Sequence, residues 1–217
     1  MIPIGDRNPA RSVPLVTWTL IAVNLGVFVY ELFLWSQGRL EEFVYTYGAV
    51  PAKLTKGEAL HTLLTSMFIH GGFLHIAGNM LYLYIFGDNV EDMMGKVRYT
   101  LFYFFSGIVA MLAQVAVYPD SQLPGVGASG AIAGVLGAYF VSYPTAKVRT
   151  LIILGIIVRV VYLPAALVLG LWFLLQVLTG LLSLGEMQAG GVAYFAHAGG
   201  FAAGMLLAPL LRKHRRG

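Results

Sequence analysis

The chain has 217 residues, 58% of them apolar and 11% charged, with a mean hydropathy of +0.76; no soluble domain of that length hides so much apolar surface behind so thin a polar shell. The net charge of +4 would point to nucleic acid in a soluble protein and is read here as membrane topology, with no nucleic-acid partner. The absence of cysteine excludes disulfides, thiolate nucleophiles and cysteine-based metal sites.

The apolar residues run in long blocks, as a bilayer core requiring about 20 apolar residues per helix demands. Met1–Pro14 carries no small-residue cleavage site, and the run behind it is long enough to span, so it is not read as a signal peptide. The first predicted span is Leu15–Leu34. An outer loop follows, about Trp35–Gly72, in which Leu60, Leu63, Leu64, Met67 and Phe68 recur on one helical face. With Trp35, Tyr45 and Tyr47 this pattern places the loop in the headgroup region rather than in water. The further spans are Phe73–Val90, Tyr99–Tyr118, a short glycine-rich Gly127–Tyr143, Leu163–Leu184 and Val192–Leu211. Leu151–Val161 is apolar but contains Arg159 and runs into Pro164, and it is read as an interfacial connection with Arg159 snorkelling to the headgroups.

The expected fold class is therefore an all-α polytopic membrane protein, a single domain over 1–217 with six transmembrane helices. Charge tests the layout. With both termini cytoplasmic, the inner segments hold Arg7, Arg11, Lys96, Arg98, Lys147, Arg149, Arg159, Arg212, Lys213, Arg215 and Arg216. The outer loops hold only Arg39, Lys53 and Lys56. That asymmetry obeys the positive-inside rule at every inner segment.

Polar side chains within spans are costly and call for a reason. His75 and Asn79, four residues apart, share a face at the start of the second span, with His70 just ahead. Ser129 opens the fourth span between Gly127 and Gly130, near free backbone N–H groups. His197 sits early in the sixth, beside Gly200 and Gly204. In the expected topology all of these lie toward the outer side of the membrane. Taken singly, Gly130-x-x-x-Gly134 and Gly200-x-x-x-Gly204 are helix-packing patterns, His197 a buried histidine and Asn79 interhelical glue. Taken together they supply a nucleophile, a base and oxyanion donors, and the same small residues let two helices approach closely. Ser129 would attack, His197 would accept and return its proton, and the Ser129 backbone N–H, Asn79 and His75 would face the oxyanion. No carboxylate is fixed by spacing near His197, so the reading is a Ser–His dyad with the imidazole held by packing.

Other readings make different demands. A small transporter calls for paired repeats and intramembrane carboxylates, and neither is evident. A metal protein using His70, His75 and His197 lacks an H-E-x-x-H pattern or neighbouring carboxylates.

The ordered set of His75 with Asn79, Gly127-x-Ser129-Gly130 and Ala196-His197-x-x-Gly200-x-x-x-Gly204 resembles the rhomboid intramembrane serine proteases over nearly the whole chain. The resemblance implies a six-helix core, Ser129 as nucleophile, His197 as base, oxyanion support from His75 and Asn79, and a structural or hydrating role for His70. It implies transmembrane protein substrates entering sideways from lipid and unwinding before cleavage, with no cofactor and no metal. The glycine-rich loop from Leu184 to Gly191 is expected to cap the site while the fifth helix admits substrate. A rhomboid-fold pseudoprotease, binding such clients without cutting them, is the alternative that intact Ser129 and His197 disfavour. Two departures stand out. His61-Thr62 replaces a Trp-Arg pair common in the family's first loop, and Ala133 replaces an aromatic that packs on the base. The minimal core and basic inner face suggest a prokaryotic plasma membrane. Oligomeric state is not encoded in any of these features.

Overall fold

The computed structural model describes residues 1–155, 157–184 and 192–213. The chain opens with a strand, β1 (Ile2–Asp6), and a 22-residue helix, α1 (Leu15–Ser36). The stretch after α1, expected as an outer loop, folds into short helices, α2 (Leu40–Tyr47), α3 (Pro51–Leu54) and α4 (Thr62–Thr65), with a 3-10 turn at Ser66–Phe68. Then come α5 (Phe73–Met94), α6 (Lys96–Val117) and α7 (Ser129–Ser142). Strands β2 (Lys147–Leu154) and β3 (Ile157–Pro164) precede α8 (Ala165–Leu182) and α9 (Tyr194–Leu211).

A helix lies at each of the expected spans. Among the described residues α1, α6, α8 and α9 are long and apolar enough to cross a membrane. α5 carries Asp88, Glu91 and Asp92 in its last turns. α7 has only 14 residues, about 21 Å at 1.5 Å per residue. It is enclosed, with every residue from Ala131 to Tyr139 buried. Outward faces of α1 and α8 are largely apolar, for instance Val29, Phe33, Leu174, Leu178 and Leu182, with Thr19 and Ser36 as exposed hydroxyls on α1. Water would not tolerate that surface; acyl chains do. The chain is thus an integral membrane protein.

The bundle departs from an all-α fold at one end. Leu151–Val161, expected as an interfacial connection, lies in the antiparallel β2–β3 hairpin, with Gly155 at φ +58° in its turn. β1 adds to the free edge of β2, giving the order β1-β2-β3. The segment is rich in Val and Ile, which favour strands. Along β2, buried Val148 and Thr150 alternate with exposed Lys147 and Arg149. Arg159 is exposed on β3, and Arg7 lies 4.0 Å over the Tyr162 ring. The outer loop also differs from the single apolar face expected of it. Leu60 and Leu64 are exposed, Met67 joins the main core, and Leu63 packs on a separate cluster of Ala49, Leu54 and Val115.

Polar anchors fix the end of the bundle that carries the sheet. α1 begins after Pro14 with no side-chain cap of its own and no acid in its first turn. The missing acceptor comes from α5. Buried Glu91 accepts from the Val16 N–H (3.0 Å), the Thr17 N–H (2.8 Å) and the Thr17 hydroxyl (2.8 Å). A carboxylate there meets the orphan donors and the positive end of α1 at once. Nearby, Tyr139 donates to Asp6 and Asn8 donates to Asn89, tying the β1 end to α7 and α5. Burial of Asp6 raises its pKa, against the Tyr139 hydrogen bond that lowers it.

α7 and α9 touch backbone to backbone. A methyl at Gly200 would collide with the Gly130 carbonyl, one at Gly204 with the Gly134 carbonyl, and one at Gly137 with the Phe201 carbonyl. This is small-residue packing, in which van der Waals contact replaces the hydrophobic drive that lipid cannot supply.

Two stability outcomes follow from these contacts. Glu91→Ala strands three donors in a buried setting and is expected to lower unfolding free energy by about 3 kcal/mol, read as a reduced melting temperature in detergent. Gly204→Val must force α9 off α7 and is expected to destabilise by about 2 kcal/mol or more in the same assay. A wild-type melting curve for either variant would contradict the corresponding contact.

Candidate active site

The two close helices carry Ser129 and His197 to one another. Ser129 is the first residue of α7, and His197 lies in the first turn of α9. The Ser129 hydroxyl donates to His197 Nε2 at 2.8 Å. At the far side of the ring, His197 Nδ1 donates to Gln176 Oε1 of α8, also at 2.8 Å. An amide oxygen only accepts, so the ring proton resides on Nδ1 and the lone pair at Nε2 faces the serine. The start of α9 is itself pinned, since the Ala196 N–H donates to Gln114 Oε1 of α6 at 3.2 Å.

The approach to Ser129 is held by the segment between α1 and α5. Ala49 and Gly125 exchange backbone hydrogen bonds of 3.0 and 2.8 Å, and the Gly127 N–H donates to the Ser66 carbonyl at 2.9 Å. Gly127 has φ +120°, a conformation that suits glycine. A methyl on it would stand 2.7 Å from Cε1 and Nε2 of His75 and 3.6 Å from Ser129 Oγ. Its bare Cα therefore leaves open the space between the two side chains.

His75 and Asn79 both border a cavity of about 590 Å³ together with Ser129, His197, Trp172 and Gln176. The Gly71 N–H donates to His75 Nδ1 at 3.2 Å, which puts the His75 ring proton on Nε2, the edge facing Gly127. Asn79 is buried, and its Nδ2 has no hydrogen-bond partner. An unpaired amide donor in such a place is expensive unless something arrives to accept from it.

His70 stands behind this group and does not border the cavity. Its backbone N–H donates to both carboxyl oxygens of Glu31 in α1 at 3.2 Å, and its ring meets His75 edge-on at 5.1 Å. Burial, with a smaller contribution from His75, pushes the His70 imidazole down to about 4. It is neutral at pH 7, with Nδ1 donating to the Phe68 carbonyl at 3.2 Å.

The structure thus brings Ser129, His197, His75, Asn79, Gly127 and Gly130 together, with Gly200 and Gly204 beneath them, and sets His70 to one side. Three contributors were missed from sequence: Gln176 on the imidazole, Trp172 at 5.8 Å from it, and Glu31 under His70. The signal for the first was available. Gln176 is the only amide in the fifth span, and an amide in lipid needs a partner. Trp172 supplies from α8 the ring contact that Ala133 cannot. The cap expected at 184–191 falls, Leu184 apart, outside the described residues, as do Arg215 and Arg216. Among the described residues no three potential metal ligands cluster.

Known proteins are similar to this chain in sequence. Rhomboid-like protein 11, chloroplastic, of Arabidopsis thaliana is 30% identical over 153 residues, 69% of this chain and 51% of its own length. RHOMBOID-like protein 4 of the same plant is 35% identical over 170 residues, 75% of this chain and 37% of its own length. Rhomboid protease GluP of Bacillus subtilis is 34% identical over 123 residues, 56% of this chain and 24% of its own length. The matched stretches therefore span about half, or less, of these relatives. The family model for the rhomboid domain matches residues 57–214, and the chain belongs to the rhomboid family.

Proposed function

We propose that this chain is an intramembrane serine endopeptidase that hydrolyses peptide bonds in or near the transmembrane segments of other membrane proteins. The observation that carries the reading is the 2.8 Å Ser129–His197 hydrogen bond, on the lone-pair side of the imidazole, in a cavity open to a substrate. We read the domain as 1–217, with α1 and α5 to α9 all crossing the bilayer and both termini on the cytoplasmic side. α7 can be short because its N-terminus ends in the cavity rather than in lipid.

In this mechanism Ser129 Oγ bonds to the scissile carbonyl carbon as its proton passes to His197 Nε2. Negative charge gathers on the carbonyl oxygen, where the Ser129 N–H, Asn79 Nδ2 and His75 Nε2–H are the donors. The tetrahedral species collapses as the C–N bond breaks, and the leaving amine takes the proton from His197. Water then adds to the acyl-serine, giving its proton to His197; the C–O bond to Ser129 breaks, and the proton returns to Oγ. The orphaned Asn79 amide suits this cycle because its acceptor exists only once charge develops. A helical substrate hides its carbonyls, so segments with small or helix-breaking residues near their outer end should be cut best.

Family membership supports the class of activity, and a relative bears the name rhomboid protease. The relatives include a chloroplast protein and a bacterial one, so they do not single out a prokaryotic plasma membrane.

Cleavage of a model transmembrane substrate in liposomes tests the reading. Ser129→Ala and His197→Ala are each expected to lower kcat by about 10³-fold or more. Cleavage surviving in either would remove that residue from the chemistry, and no cleavage by wild type across several helix-destabilised substrates would favour client binding without hydrolysis. Asn79→Ala should lower kcat by about 10- to 100-fold with little change in KM; a change confined to KM would make it a substrate-binding group instead.

A further inference from the structure

Gln176 and Trp172 are four residues apart on α8 and leave it on one face. Both reach His197, the first by the 2.8 Å hydrogen bond to Nδ1 and the second by ring contact at 5.8 Å and 32°. α8 is otherwise held at its ends. Its buried residues are Ala165, Val168 and Leu169 in the opening turns and Gly180 near the close, with none between. At mid-span the inward contacts are Trp172, Phe173 stacked on Phe201 at 4.5 Å, and Gln176. The bond that sets the imidazole thus comes from a partly buried stretch of the least buried of the four long apolar helices.

We propose that Gln176 is the positioning residue for His197, and that it makes activation of Ser129 conditional on α8 being seated against α9. This rests on the protease reading above. A neutral imidazole carries one proton, and it accepts from Ser129 only while that proton stays on Nδ1. The Gln176 oxygen holds it there and also steadies Nδ1–H when Nε2 becomes protonated. A carboxylate would do the same at the cost of burying a charge at membrane depth; an amide orients the ring while remaining neutral. Amide-oriented histidines serve cysteine nucleophiles in the same way. The cavity is walled by α5 on one side and by Trp172 and Gln176 on the other, so any displacement of α8 from this wall breaks the bond that arms the base. Hydrolysis waits until α8 settles again. The titratable neighbour of the imidazole is His75 from α5; α7 presents the Ser129 hydroxyl, and α6 presents Gln114, which binds the Ala196 N–H.

The test uses the full chain in liposomes, with ¹⁵N-labelled histidine to read the His197 tautomer and a pH–kcat profile beside the cleavage assay. Gln176→Leu is expected to lower kcat by about 10- to 100-fold with KM changed less than about twofold, and to shift the Nε2 resonance away from its unprotonated position. Gln176→Glu restores the acceptor and adds charge, so kcat should recover in part and the acid limb of the profile should move up by about one pH unit. A Gln176→Leu enzyme with wild-type kcat and tautomer would overturn the proposal. So would a loss of kcat with both the tautomer and the Gln176→Glu profile unmoved, which would make Gln176 a packing residue. Ser129→Ala in the same liposomes keeps the two readings apart: if it cleaves like wild type, the protease reading itself fails.

Discussion

Everything around Ser129 and His197 depends on how closely two backbones can approach in a solvent that gives them no hydrophobic reason to do so. α7 and α9 meet where the Gly130 and Gly134 carbonyls lie over Gly200 and Gly204 and the Phe201 carbonyl lies over Gly137, so that oxygens stand where those three Cβ atoms would be, while Gly130 and Gly134 themselves leave room for Ala110 and Ser106 of α6. Serine and histidine are short side chains. A 2.8 Å bond between them needs helix axes nearer than ordinary aliphatic packing allows. The glycines that look like packing residues are thus the condition for the hydrogen bond at Ser129, and the two descriptions refer to one contact.

Around that contact, polar groups are supplied across elements rather than along them. Glu91 caps a helix it does not belong to, Gln114 holds the start of α9 from α6, and Glu31 receives the backbone of the segment leading into α5. Each removes an orphan donor from a low-dielectric setting where water cannot do so. The same economy acts on the imidazole, whose two nitrogens are engaged by a hydroxyl and an amide with no carboxylate.

Much of this was legible in the sequence, and the limits have physical causes. The helices lie where uninterrupted apolar runs were read, because lipid imposes length and composition on a span. Ser129, His197, His75 and Asn79 stood out because polar groups at membrane depth need a reason. The β2–β3 hairpin was missed because a short apolar run has no period that separates strand from buried helix, and its β1 partner lies at the far end of the chain. The outer loop's regular apolar spacing fitted a single helix, yet tertiary contacts broke it into a short α-helix and a 3-10 turn. Gln176 was visible as an amide in lipid, but only the fold reveals that its partner lies 21 positions away on the next helix.

The cap on α1 has a consequence for biogenesis. Synthesis delivers α1 before α5, with Glu91 following 74 residues after Thr17, and β1 must wait still longer for the strand that pairs with it. Until α5 emerges, the opening turn of α1 has donors with no protein acceptor and must keep them at the hydrated face of the bilayer. α1 can therefore enter the membrane early but cannot reach its final depth early. Its docking is a late event, completed only when α5 has brought Glu91 back to the opening turn of α1.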